Sequence, residues 1–98
     1  MVGPTRVLLV DDDPSLADLM ASQLADIGDR FSIRVETDPN DALEAVETGR
    51  FDCVVSDHHM PRMTGLELLR YVREMDPAIP FILFTARGSE EIATEAVS

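Results

Sequence analysis

Apolar residues along the chain follow two alternating periods. The run RVLLV at residues 6–10 is continuously apolar, which is typical of a strand covered on both faces. Residues 14–27 then carry apolar side chains at helical spacing, and Gly28 stands where a glycine commonly ends a helix. The strand pattern returns in three further segments: FSIRVE (31–36), FDCVVSD (51–57) and PFILFT (80–85).

Each predicted strand is followed by a segment with the start signals of a helix. Asp13 and Asp38 both precede a proline, the arrangement of an N-cap followed by a proline at the first helical position. Thr64 and Glu67 have the spacing of a capping box. The sequence therefore predicts an α/β domain, or part of one, with a parallel sheet and helices on both faces. The predicted helices are 14–27, 38–49, 64–75 and 89–98.

The composition narrows the classes of protein to which this domain can belong. Its net charge is −11 over 98 residues, and it contains no lysine, which disfavours direct binding to nucleic acid or to an anionic membrane. Either a solvated acidic surface or adaptation to a high-salt cytoplasm would explain this charge. Cys53 is the only cysteine, which excludes an internal disulfide, and we interpret it as a small core residue. No apolar run is long enough to span a bilayer, so we expect a cytoplasmic protein.

Polar side chains stand at the carboxyl ends of three predicted strands. Asp11, Asp12 and Asp13 follow the first strand, Asp57 ends the third, and Thr85 ends the fourth. In a parallel sheet these ends meet at one edge, where ligands bind. Asp13 is explained as a helix N-cap, whereas Asp11 and Asp12 are not explained by the fold. Because neighbouring carboxylates repel, we expect a hard divalent cation such as Mg²⁺ to compensate them, together with Asp57.

The segment DHHMPRMTG at 57–65 carries a resemblance to a known family. Together with Asp11, Asp12 and the pair Thr85-Ala86, it resembles the receiver domain of two-component response regulators. The resemblance runs from about residue 6 to residue 98. It implies a doubly wound, flavodoxin-like fold of three layers with strand order 2-1-3-4-5, and a function in phosphorelay signal transduction.

The resemblance also assigns a role to each matching residue. Asp57 would be the phosphoacceptor, and the Mg²⁺ ligands would be Asp11, Asp12, Asp57 and the backbone carbonyl of His59. The hydroxyl of Thr85 would bind the phosphoryl group and take part in a conformational switch. The domain would catalyse its own phosphorylation and dephosphorylation without being an enzyme for a separate substrate. Its partner would be a histidine kinase or a phosphotransfer domain, while an output domain in the same chain and a homodimer are left open.

Two motifs allow other interpretations. His58 and His59 are adjacent, but no third soft ligand stands nearby, so we expect exposed loop histidines rather than a transition-metal site. The segment LLVDDDPS also resembles the first motif of haloacid-dehalogenase-type phosphatases, in which Asp11 would be the nucleophile. That alternative leaves DHHMPRMTG unexplained. A receiver-like module that binds a partner without phosphorylation is a third hypothesis, and the intact Asp57 argues against it.

One part of the family pattern is missing from the sequence. Receiver domains carry a lysine at the end of a fifth strand, followed by a fifth helix, and this sequence has neither. We expect residues 1–98 to be a C-terminally truncated receiver rather than a degenerate one, because the other site positions are intact. The fourth strand would then be an exposed apolar edge that favours association.

Overall fold

The alternation of strand and helix predicted from the sequence is present throughout the part of the chain that the structure describes. The computed structural model describes residues 3–84; Thr85 and the predicted helix at 89–98 lie outside them. The elements, in chain order, are β1 (Thr5–Val10), α1 (Pro14–Ala25), β2 (Phe31–Glu36), α2 (Pro39–Thr48), β3 (Cys53–Asp57), α3 (Gly65–Met75) and β4 (Phe81–Phe84). None of these helices is long and apolar enough to cross a membrane.

The sheet confirms the predicted topology. All three strand pairings are parallel, and the order is β2-β1-β3-β4. β1 lies in the middle, so that Val10 pairs with Glu36 on one side and with Ser56 on the other. The carboxyl ends of β1 and β3 are therefore neighbours at one edge of the sheet, and this edge carries the predicted site.

The main core lies between the sheet and the helices α2 and α3. Alternate residues of β1, Leu8 and Val10, face this core and are fully buried, as is Val54 of β3. Ala42 and Ala45 of α2, Leu68 and Val72 of α3, and Met60 and Ile79 of the loops complete the cluster. Helix α1 contacts β1 and β2 on the opposite face, where Ala17 is fully buried. The helices thus cover both faces, as the doubly wound fold requires.

The prediction that Cys53 is a core residue is wrong. Successive residues of a strand point to opposite faces, and in β3 the fully buried positions are Val54 and Ser56. Cys53 and Val55 point to the other face and are half-buried. Burial and the charge of Asp52 still raise the pKa of the Cys53 thiol, so this thiol is a poor nucleophile near neutral pH.

The predicted helix starts are confirmed in atomic detail. Asp13 accepts hydrogen bonds from the backbone N–H groups of Ser15 (3.0 Å) and Leu16 (3.3 Å), so it is the N-cap of α1. Asp38 caps α2 in the same way. At α3 the capping box is complete, because the side chain of Thr64 accepts from the Glu67 N–H (3.2 Å) while the side chain of Glu67 accepts from the Thr64 N–H (3.1 Å).

Several element boundaries differ from the prediction by one or two residues, and the contacts explain two of these differences. Helix α1 ends at Ala25 rather than at residue 27, because the last turn tightens: the N–H of Gly28 donates to the carbonyl of Ala25 (3.1 Å), and Gly28 has a φ of 117°. Strand β3 begins at Cys53 rather than at residue 51. Before it, Asp52 pairs with Arg6 partly through its side chain: the N–H of Asp52 donates to the carbonyl of Arg6 (2.8 Å), and the carboxylate of Asp52 accepts the N–H of Arg6 (2.7 Å).

Gly65 is required by the close approach of α3 to the end of β3. A Cβ atom at this position would meet a methyl group of Leu83, and it would lie 2.5 Å from the carbonyl oxygen of Asp57 and 2.9 Å from the Cα of His58. We therefore predict that Gly65→Ala destabilises the domain by about 1–3 kcal/mol through overpacking. Urea denaturation measures this loss.

Gly3→Ala is the matched control for this prediction, because a Cβ at Gly3 would meet nothing within 4 Å. The control should unfold at the same urea concentration as the wild type. Equal midpoints for Gly65→Ala and the wild type would contradict the close approach of α3 to β3.

Candidate acidic site at the carboxyl edge of the sheet

Three of the predicted site residues lie together at the edge formed by β1 and β3. Asp11, Asp12 and Asp57 each offer a carboxylate oxygen, and these oxygens all lie within 4.8 Å of one another. Asp11 is fully buried, Asp57 is half-buried, and Asp12 is exposed. The cluster is therefore open to solvent on the side of Asp12 and closed on the side of Asp11.

Asp11 is the carboxylate with the least favourable surroundings. Its Oδ1 accepts the backbone N–H of Asp13 at 2.9 Å, while its Oδ2 is buried without a hydrogen-bond partner. Burial raises the pKa of Asp11; the hydrogen bond from Asp13 opposes this rise, and the negative charges of Asp57, Asp12 and Asp13 add to it. A positive charge at the cluster would favour the ionised form of Asp11 and so offset the effects of burial and of the neighbouring negative charges.

This donor set fits a hard divalent cation. Mg²⁺ prefers oxygen ligands, and it is commonly held by one or two carboxylates together with carbonyl groups and water. The unpartnered Oδ2 of Asp11 is a buried polar atom that lacks a donor, and a cation would satisfy it. Asp11, Asp12 and Asp57 are the residues that would hold such an ion.

The turn after β3 fixes the backbone around Asp57. The N–H of His58 donates to the carbonyl of Phe84 in β4 (3.0 Å), which continues the parallel ladder by one residue. The carbonyl of His58 then accepts N–H groups from Met60 and Gly65, both at 3.0 Å. The N–H of His59 donates to Oδ1 of Asp57 at 3.3 Å, so this residue contacts the predicted acceptor directly.

The two histidines differ from each other in burial. His59 is exposed, as predicted, whereas His58 is half-buried and its Nδ1 atom is fully buried. Their rings form an edge contact, with centroids 5.1 Å apart and an interplanar angle of 72°. Within residues 3–84, neither histidine belongs to a group of three or more metal-ligating side chains.

Sequence reasoning missed Ser56, the residue before Asp57. Ser56 and Asp11 are the polar residues that are fully buried in the described part of the chain. The hydroxyl of Ser56 donates to the backbone carbonyl of Asp57 at 2.9 Å. A hydroxyl at a core-facing position directly before the predicted acceptor was the available signal.

Comparison with known proteins identifies the family. The sequence model of the response regulator receiver domain matches residues 7–98. Response regulator MprA of Mycolicibacterium vanbaalenii is 36% identical over 86 residues, which cover 88% of this chain and 36% of MprA. The chain thus spans about a third of the length of this curated relative.

Comparison with solved structures points to the same family. The Vibrio cholerae chemotaxis protein CheY4 superposes with a TM-score of 0.83 at 29% identity, over 98% of this chain and 82% of that one. The response regulator TrrA of Thermotoga maritima, solved in complex with Mg²⁺ and BeF, superposes with a TM-score of 0.82 at 30% identity, over 90% of this chain and 75% of that one. The haloacid-dehalogenase alternative is not supported by these comparisons. The chain belongs to the response regulator receiver domains, the phosphorelay signalling domains of two-component systems.

Proposed function

We propose that Asp57 accepts a phosphoryl group from a phosphohistidine of a histidine kinase or phosphotransfer domain. The observation that carries this proposal is the cluster of Asp11, Asp12 and Asp57, whose oxygens lie within 4.8 Å of one another at the carboxyl edge of the sheet. Asp11, Asp12 and Asp57, together with the backbone carbonyl of His59, would hold a Mg²⁺ ion. TrrA, a fold relative solved with Mg²⁺ and BeF, supports this choice of ion.

The proposed reaction forms one bond and breaks one. An oxygen of the Asp57 carboxylate attacks the phosphorus atom, and the bond between phosphorus and the donor's nitrogen breaks, so that an acyl phosphate forms on Asp57. When bound, Mg²⁺ offsets the negative charge of the transferring group. Asp11 and Asp12 would hold the ion, while the N–H of His59 orients the acceptor carboxylate through Oδ1. The hydroxyl of Thr85 would hydrogen-bond the phosphoryl group on Asp57 and take part in a conformational switch.

The rest of the proposal concerns the parent protein. The chain spans 36% of MprA, so the remainder of such a relative has room for an output domain in the same polypeptide. We infer that phosphorylation of this domain controls an output domain of that kind. We infer that residues 1–98 are the receiver domain of that parent protein. Cytoplasmic location and a homodimer stay predictions.

The first prediction concerns the modified residue. Acetyl phosphate with Mg²⁺ should add one acid-labile phosphoryl group to the full-length protein, as measured by intact mass. Asp57→Asn should abolish this mass increase, because an amide oxygen cannot form the acyl phosphate. Asp52→Asn is the matched control: Asp52 lies before the same strand, and its carboxylate accepts the N–H of Arg6 and is not part of the acidic cluster, so the change should leave phosphorylation intact. A phosphoryl group that is found on Asp11 instead of Asp57 would contradict the proposal.

The second prediction concerns the metal. Because the three carboxylates share one edge only in the folded state, Mg²⁺ should stabilise that state. At about ten times the dissociation constant the gain is about 1.4 kcal/mol, detectable as a rise in melting temperature. Asp12→Asn should weaken the effect, whereas Asp18→Asn, a change on α1 away from the cluster, should not. If Mg²⁺ does not change the melting temperature at constant ionic strength, the metal site is contradicted.

The third prediction follows from the raised pKa of Asp11. A carboxyl group with a higher pKa in the folded state than in the unfolded state costs stability at neutral pH, and this cost disappears as the group is protonated. Without Mg²⁺, Asp11→Asn should therefore have a higher melting temperature than the wild type at pH 7. The difference should shrink as the pH falls towards the pKa of the unfolded chain. A difference that grows on acidification would contradict the assigned cause.

A further inference from the structure

The peptide group between Asp57 and His58 is held at both of its ends. Its carbonyl oxygen accepts the hydroxyl of Ser56 at 2.9 Å. Its N–H donates to the carbonyl of Phe84 at 3.0 Å. Rotation of this peptide group would break at least one of the two bonds, so its orientation is fixed.

Helix α3 closes a third side of the same peptide group. The backbone of Gly65 approaches so closely that a Cβ there would lie 2.5 Å from the carbonyl oxygen of Asp57 and 2.9 Å from the Cα of His58. The carbonyl therefore has little space in which to move. The bond to Phe84 joins two backbone groups, whereas the bond from Ser56 comes from a side chain and can be removed by mutation.

Ser56 occupies a position that packing alone would give to an apolar residue. It is fully buried, its register partners are Val10 in β1 and Leu83 in β4, and Val54 precedes it on the same face. A buried hydroxyl is unfavourable unless it is hydrogen-bonded, and its bond here is to the carbonyl of Asp57. The Ser56 hydroxyl that donates this hydrogen bond is therefore buried in the core and not exposed to solvent.

The orientation of this peptide group determines where the Asp57 carboxylate points. The side chain leaves from the Cα atom at one end of the peptide, and the next N–H along the chain, that of His59, reaches back to Oδ1 of the same carboxylate at 3.3 Å. A tilt of the peptide would displace both the carboxylate and its hydrogen-bond donor. The distances to Asp11 and Asp12 would change with it.

We propose that Ser56 is a positioning residue for Asp57: its hydroxyl fixes the peptide group from which the acceptor carboxylate extends. This inference rests on the proposed function, because it concerns the alignment of Asp57 with the metal-binding carboxylates. Ser56 is not one of the residues that would hold the metal, and it acts through the backbone carbonyl of Asp57.

The test compares Ser56→Ala, which removes the hydroxyl, with Ser56→Thr, which keeps it. Amide hydrogen exchange, followed by NMR in the metal-free protein, should show faster exchange of the His58 N–H in Ser56→Ala, while the N–H of Leu68 in α3 exchanges as in the wild type. NMR titration with Mg²⁺ should show an affinity weaker by about tenfold, the size of effect known for groups that orient metal ligands. Ser56→Thr should restore both values.

Val54→Ala is the control for a purely structural role. It removes core packing two residues earlier on the same face, so it should lower the melting temperature without weakening Mg²⁺ binding to the folded protein. Equal His58 exchange and equal Mg²⁺ affinity in Ser56→Ala and the wild type would overturn the inference about Ser56 alone. A wild-type protein that binds no Mg²⁺ and accepts no phosphoryl group would overturn the proposed function, and this inference with it.

Discussion

Repulsion among three carboxylates at one edge of the sheet is the constraint on which the rest of the structure depends. Because β1 and β3 are adjacent and parallel, their carboxyl ends bring Asp11 and Asp57 together, and Asp12 follows directly. Burial of Asp11 adds a desolvation cost, and one of its oxygens has no donor. Folding therefore works against these charges, and a bound cation would offset their repulsion. This is the physical basis for expecting the metal to stabilise the fold.

Such a cluster can be held together only by a stiff surrounding backbone. The turn after β1 serves two purposes, since Asp13 caps α1 with its side chain while its own N–H binds the carboxylate of Asp11. After β3, the ladder bond from His58 to β4 and the close approach of Gly65 hold the strand end on two sides. Helix capping and site geometry thus depend on the same few residues, and a change in one affects the other.

The features that could be predicted from the sequence are those with a periodic or local signature. Apolar periodicity revealed the strands and helices, and the pairs Asp13-Pro14 and Thr64/Glu67 located helix starts because a cap needs only neighbouring residues. The start of β3 was missed because it depends on a contact between Asp52 and Arg6, which are far apart in sequence. Ser56 was missed for a related reason: a serine inside an apolar strand does not reveal that its hydroxyl bonds the adjacent carbonyl.

Accessibility explains why Asp57, rather than Asp11, is the carboxylate to which we assign the acceptor role. Asp11 is fully buried and one of its oxygens is bound to the N–H of Asp13, so a phosphoryl donor cannot approach it without unfolding the turn. Asp57 is half-buried and bonds the N–H of His59 through Oδ1. A nucleophile must be both oriented and reachable, whereas a metal ligand may be enclosed. The two environments match these two different requirements, and they do so with residues of the same type.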